Sequence, residues 1–156
     1  MGRRFEQPLE KGTEMLVTTK GRYALTALAD VAQHQSEGMV TVKDIAARQS
    51  ISEKYLESIL KTLVKARCLL GTRGKGGGYK LARSPDEITV LEVLEAVESD
   101  LAVAEGLDGE AEAGTSVQCR LLEMWRELDG EVKDYLAGKT VADVAEGVDP
   151  ADYYVI

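Results

Sequence analysis

The sequence predicts a mainly α (α+β) fold: a winged helix-turn-helix domain followed by a long C-terminal dimerisation helix. Three observations predict it. Two capped helical segments are joined by a turn of a few residues. Two strand-like segments then flank a basic glycine run. Finally, an apolar stripe from about Thr115 to Ala137 alternates largely by four and three, as helix-on-helix packing requires. One small domain cannot cover that stripe, so a second copy of the chain is the expected cover.

The elements follow in order. Residues 1–14 show no apolar periodicity and are expected to be a disordered extension or an upstream start, with Met15 opening the ordered sequence. Thr18 and Thr19 are N-cap candidates for a helix from about Lys20 to Gln35, whose Tyr23, Ala24, Ala27, Leu28, Val31 and Ala32 share one face. Ser36-Glu37-Gly38 ends it. Thr41 to Asp44 reads as a capping box for a short helix, Val42 to Gln49. Ser52 opens the next helix, to about Arg67, with Leu56, Ile59, Leu60, Leu63 and Val64 on its apolar face.

Leu69–Thr72 and Tyr79–Ala82 read as strands around Arg73-Gly74-Lys75-Gly76-Gly77-Gly78, which makes a wing. Ser84-Pro85 breaks the chain. A second box, Thr89 to Glu92, opens a helix with Val90, Val93, Leu94 and Val97 on one side. An acidic Gly/Ala-rich stretch, 99–114, is expected to be a mobile loop. The long stripe holds Val117, Leu121, Met124, Leu128 and Tyr135, with Trp125, Val132 and Leu136 beside them. Leu121, Trp125, Leu128 and Val132 are the expected dimerisation residues. A third box, Thr140 to Asp143, starts a last short helix, and Asp149-Pro150 stops it before the tail 151–156. The division is therefore 1–14 extension, 15–84 winged helix-turn-helix, 85–148 helical dimerisation region and 149–156 tail.

Charge narrows the function. The net charge is −8, but Met15 to Ser84 holds 12 Lys and Arg against 5 Asp and Glu, a net of +7. Pro85 to Ile156 holds 4 against 19, a net of −15. This asymmetry points to a polyanion partner for the first half alone. Two cysteines, Cys68 and Cys119, make no disulfide framework. No apolar run suits a membrane span and residues 1–14 are too charged for a signal peptide, so a cytoplasmic location without membrane partners is expected.

The candidate contacts to double-stranded DNA lie in three places. The recognition helix begins Ser52-Glu53-Lys54-Tyr55, and its N-terminus is the end expected in the major groove. Ser50, Ser52, Lys54 and Tyr55 suit phosphate oxygens, and Lys61 lies on the same solvated side. Glu53 is repelled by phosphate, so it either accepts from a cytosine amino group or is an ordinary first-turn glutamate favoured by the helix dipole. Arg73 and Lys75 suit a narrow A·T-rich minor groove; the alternative is a plain hairpin turn with solvated charges. The glycine run lacks the Gly-Lys-Ser/Thr of a phosphate-binding loop and precedes a strand. His34 lies at a helix end, where a capping or surface role is expected. No catalytic or metal constellation is readable, and no cofactor is expected.

Thr19-Lys20-Gly21-Arg22-Tyr23-Ala24-Leu25, Ile45-Ala46, Ile51 to Glu57 and Arg73 to Tyr79 resemble the Rrf-two family of winged-helix regulators over about Met15 to Glu146. The resemblance implies a homodimer built on the long helix, palindromic operators, a base-reading Ser52/Glu53 region and Arg73 in the minor groove; Thr19 and Arg22 fall within its first motif and join the candidate DNA contacts. Cluster-binding members carry three cysteines between the fourth helix and the long one. Here 99–119 holds only Cys119, and Arg22 stands where some members supply a carboxylate ligand. The tail, Asp152-Tyr153-Tyr154-Val155-Ile156, resembles the end of the family's cysteine-metabolism repressor. It also resembles the C-termini of serine acetyltransferases, which insert an isoleucine into O-acetylserine sulfhydrylase (cysteine synthase). Tyr153, Tyr154, Val155 and Ile156 are thus candidate partner contacts, and the reading is a repressor of cysteine or sulfur metabolism genes. The alternatives are a thiol or iron–sulfur redox sensor, and an adaptor whose winged helix binds protein.

Overall fold

A computed structural model describes residues 17–107 and 114–147; the extension 1–14, the centre of the acidic loop and the tail 149–156 lie outside them. Helix α1 spans Thr19–His34 and is followed by a 3-10 turn, Gln35–Glu37. Then come α2 (Val42–Gln49), α3 (Glu53–Lys65), β1 (Leu69–Thr72), β2 (Gly78–Leu81), α4 (Val90–Val97), α5 (Ser116–Ala137) and α6 (Val141–Ala145).

Local chemistry accounts for most of the boundaries. Thr41, Ser52, Thr89, Thr115 and Thr140 each accept a backbone N–H from the first turn of the helix they open. The box at Thr140–Asp143 is reciprocal as expected, and a second reciprocal box forms at Thr115–Gln118. The boxes expected at Thr41 and Thr89 are one-sided. Glu92 is drawn away because its carboxylate pairs with Arg83. Thr18 is the N-cap of α1, but its hydroxyl does not cap its own helix; it turns to Glu98 instead.

Between α2 and α3, Ser50 takes a left-handed conformation with φ +54°, and both Ser50 and Ile51 donate their N–H to Ala46 O. This is the tight turn of the helix-turn-helix. The wing is an antiparallel hairpin pairing Leu69 with Leu81 and Thr72 with Gly78. The chain just ahead of the α2 cap adds to it, since Val40 exchanges backbone bonds with Tyr79 at 2.9 and 2.7 Å. Gly78 permits this approach: a Cβ there would lie 2.7 Å from Val40 O.

The core is continuous across the boundary drawn at residue 84. Leu28 and Val31 of α1 and Leu56, Ile59, Leu60 and Leu63 of α3 share one cluster with Ile88, Val93 and Val97 around α4 and with Val141 of α6. Val64, expected on the buried face of α3, is exposed. Residues 101–107, expected as part of the mobile loop, pack against α5. Leu101 and Leu107 are buried, Val103 N donates to Asp129 Oδ1 at 3.0 Å, and Arg126 Nε donates to Leu107 O at 3.1 Å.

Among the described residues, no helix is long and apolar enough to cross a membrane.

Candidate nucleic-acid interface

Thr19, Arg22, Ser50, Ser52, Glu53, Lys54, Tyr55, Lys61, Arg73 and Lys75 are all exposed. Two structural links bring separate elements of this set together. The rings of Tyr23 on α1 and Tyr55 on α3 meet edge to face, 5.7 Å between centroids, so the start of the recognition helix is keyed to the turn of α1 that carries Thr19 and Arg22. Arg22 Nη2 in turn donates to Thr19 Oγ1 at 3.3 Å. On the other side of α3, Lys61, Lys65 and Arg73, together with one acid, Glu57, line one open groove of about 660 Å³ that also includes Val42, Val64 and Tyr79. Three cations converge there on the recognition helix and the wing. Lys65 was not among the residues singled out from sequence.

The wing tip is built for exposure rather than packing. Gly74 and Gly76 lie at φ +94° and +77°, a region that residues with a Cβ rarely adopt. The turn closes through Gly77 N donating to Gly74 O at 3.0 Å. Arg73 and Lys75 therefore stand on a tight hairpin tip with solvent around them.

The placement of α2 against α1 depends on a buried charge. Asp30, 1% exposed in the middle of α1, accepts from Arg48 Nε and Nη2 and from Gln49 Nε2, at 3.0, 2.7 and 2.8 Å. Burial alone would raise this carboxyl, but the bonds from Arg48 and Gln49 outweigh it and hold it below the usual carboxylate range. His34, half-buried, joins the same group through Nδ1, 2.8 Å from Asp30 O. The one signal in the sequence was an acid set among Ala27, Leu28 and Val31.

Away from this face, α5 contains no buried residue. Leu121, Trp125 and Leu128 are 43%, 40% and 45% exposed, with Val117, Met124 and Tyr135 also open. Val132 is half-buried, and Leu136 packs with Val90, Leu94 and Leu101. Cys119 is exposed on this helix, whereas Cys68 is buried beneath the wing. Burial, then the neighbouring Glu92 carboxylate, push the Cys68 thiol up, so it stays protonated.

A capped recognition helix beside an exposed basic wing defines a winged-helix DNA-binding regulator. The comparisons with known proteins agree. A family model, Rrf2, described as an iron-dependent transcriptional regulator, matches residues 17–147. The HTH-type transcriptional regulator IscR of Aliivibrio salmonicida is 41% identical over 132 residues, covering 83% of this chain and 77% of that protein. The structure of CymR, the global cysteine regulator of B. subtilis, superposes with a TM-score of 0.73 at 31% identity, covering 87% of this chain and all of that one. The T. potens IscR structure gives a TM-score of 0.66 at 34% identity, covering 92% of this chain and 98% of that one. The chain belongs to the Rrf2 family of transcription regulators.

The iron in the family's description can be tested against this chain's donors. An iron–sulfur cluster takes about four ligands, mostly thiolates. The stretch 99–119 contains one cysteine, and Cys68 is enclosed in the core. Among the described residues, no group of three or more His, Cys, Asp or Glu is placed to hold a metal ion. These residues do not fit a cluster.

Proposed function

We propose that this regulator is a homodimeric repressor of cysteine or sulfur metabolism genes, controlled by complex formation with cysteine synthase. The observation that carries the DNA-binding half is the convergence of Lys61, Lys65 and Arg73 on one groove between the recognition helix and the wing. In this reading Lys54, Tyr55, Ser50, Ser52, Thr19 and Arg22 hold phosphates, and Glu53 reads a base edge. Arg73 and Lys75 enter the minor groove. The open apolar face of α5 pairs with a second copy, which spaces two recognition helices for a palindromic operator.

Two observations support the metabolic assignment: the likeness to CymR, whose structure is that of a global cysteine regulator, and the acetyltransferase-like Asp152-Tyr153-Tyr154-Val155-Ile156. A carboxylate on the isoleucine would take the place of the substrate carboxylate, and the side chain would fill an apolar slot. O-acetylserine would then compete with the tail, and repression would follow the supply of that substrate.

The test is a titration of cysteine synthase with a peptide ending Asp-Tyr-Tyr-Val-Ile, read by fluorescence of its pyridoxal phosphate. The free acid should bind and be displaced by O-acetylserine, and the C-terminal amide should not bind. Silence from the free acid, or equal binding of both, removes the partner. A second reading, thiol sensing, is favoured by the exposure of Cys119 on α5.

A further inference from the structure

Glu98 stands at the end of α4, where its N–H closes the helix on Leu94 O at 2.8 Å. Its side chain turns to the far end of the sequence. Oε1 accepts from Thr18 N at 2.9 Å, and the Thr18 hydroxyl reaches Oε1 and Oε2 at 2.9 and 3.0 Å. Thr18 is the N-cap of α1, so this carboxylate, eighty residues away, bonds the N-cap N–H as the N3 side chain of a capping box would. A carboxylate is well suited to that position, where free N–H groups carry partial positive charge. Gly21 makes room for it, since a Cβ there would collide with Oε1 and lie 2.9 Å from Leu94 Cδ2.

The contact lies between two regions with different tasks. On one side, Thr18 O accepts from Arg22 N at 3.1 Å, so fixing Thr18 fixes the first turn carrying Thr19 and Arg22. On the other side, Glu98 leads directly into the segment held on α5 through Val103–Asp129 and Leu107–Arg126. Leu101 from that segment and Val17 ahead of α1 pack in the same apolar cluster as Leu136 of α5.

We infer that Glu98 is a positioning residue for DNA binding: it ties the α4–α5 region to the phosphate-facing start of α1, so that a displacement of that region moves Thr19 and Arg22. The inference rests on the proposal that those two residues contact phosphate.

The experiment measures operator affinity of the full-length protein across a salt series for Glu98→Ala, Glu98→Gln, Arg22→Ala and the Glu98→Ala/Arg22→Ala double variant. Dimer size is checked by sedimentation. Glu98→Ala should weaken binding and flatten the slope of log K against log salt by about 0.9, the share of one phosphate contact. Arg22→Ala should do the same, and the double variant should lose little more than either alone, because both act through one contact. Glu98→Gln keeps an acceptor oxygen for Thr18 N–H and should restore the slope. A role limited to folding would lower Tm and leave the slope and additivity intact, which overturns the inference. So does wild-type binding by a folded Glu98→Ala. If Arg22→Ala itself leaves affinity and slope unchanged, the phosphate contact fails first and the inference with it.

Discussion

Arg48 reaches from α2 to grip the buried carboxylate of Asp30 on α1 with two parallel bonds, from Nε at 3.0 Å and Nη2 at 2.7 Å. The Asp30 side chain is fully enclosed, while about a third of Arg48 remains in water. The geometry is the two-pronged fork that only arginine supplies. It sets the first helix of the helix-turn-helix against α1, which carries part of the proposed DNA face.

Removing one partner of such a pair leaves a buried charge short of partners. Arg48→Ala should therefore destabilise the protein by about 3 kcal/mol, and Arg48→Lys, which keeps the charge without the fork, by less. Urea unfolding checks this; an unchanged midpoint for Arg48→Ala would show that Gln49 suffices alone.

The same pair fixes a pH dependence. The Asp30 carboxyl is held below its ordinary value in the folded state, so as pH falls the unfolded chain takes up this proton first. The stabilisation is complete above the unfolded value, about 3.9, and is lost as pH drops through the folded value. Stability measured against pH should fall less steeply below about 4 for Asp30→Asn than for the wild type. Parallel curves would assign the acid sensitivity to other groups.

The helix-turn-helix, the wing and the long helix were legible because each is written in local chemistry. Ser52 and Thr140 cap their own helices, the glycines mark the hairpin, and the α5 stripe repeats at helical spacing. What stayed hidden joins residues distant in sequence. Asp30 and Arg48 lie eighteen residues apart on different helices, and no local pattern links them. Glu98 and its partner Thr18 are eighty residues apart, beyond the reach of any capping motif. Thr18 offered a plausible local cap, and no periodicity could show that its hydroxyl turns elsewhere. In the same way Val40 pairs with Tyr79 through backbone atoms alone, which side-chain patterns do not record.

The two cysteines should differ sharply in reactivity. Cys119 is exposed, whereas Cys68 is 1% exposed and its thiol is pushed up by burial. Iodoacetamide should alkylate one site per protomer in the native protein and a second only after unfolding, as mass spectrometry would show. Rapid native labelling of Cys68 would mean that the wing opens readily. Protein prepared without oxygen should also carry no stoichiometric iron; a brown protein that bleaches in Cys119→Ser would reveal ligands from outside the described residues.

At the DNA face, affinity should fall steeply with salt, by about 0.9 in the log–log slope for each neutralised phosphate. Lys54→Ala should flatten the slope on every sequence. Arg73→Ala should lower affinity most where A·T-rich sequence lies under the wing, because a narrow minor groove concentrates negative potential. Equal losses on A·T-rich and G·C-rich sites would leave Arg73 as a simple phosphate contact.

The proposed dimer makes the most direct demand on α5. Leu121, Trp125 and Leu128 lie along one face at helical spacing, each more than a third exposed in the single chain, and a large apolar face left in water is the mark of an interface. Leu128→Asp would bury one unpaired carboxylate from each protomer in that seam, a penalty of several kcal/mol for each ion. The face makes no contribution to the buried core of the single chain, so the variant should stay folded, with its helical circular dichroism intact, yet sediment as a monomer. Its operator affinity should then fall towards that of one half-site, because nothing holds two recognition helices a helical turn apart. A Leu128→Asp protein that still sediments as a dimer would place the interface on another surface, and would leave the open stripe of α5 to a different partner.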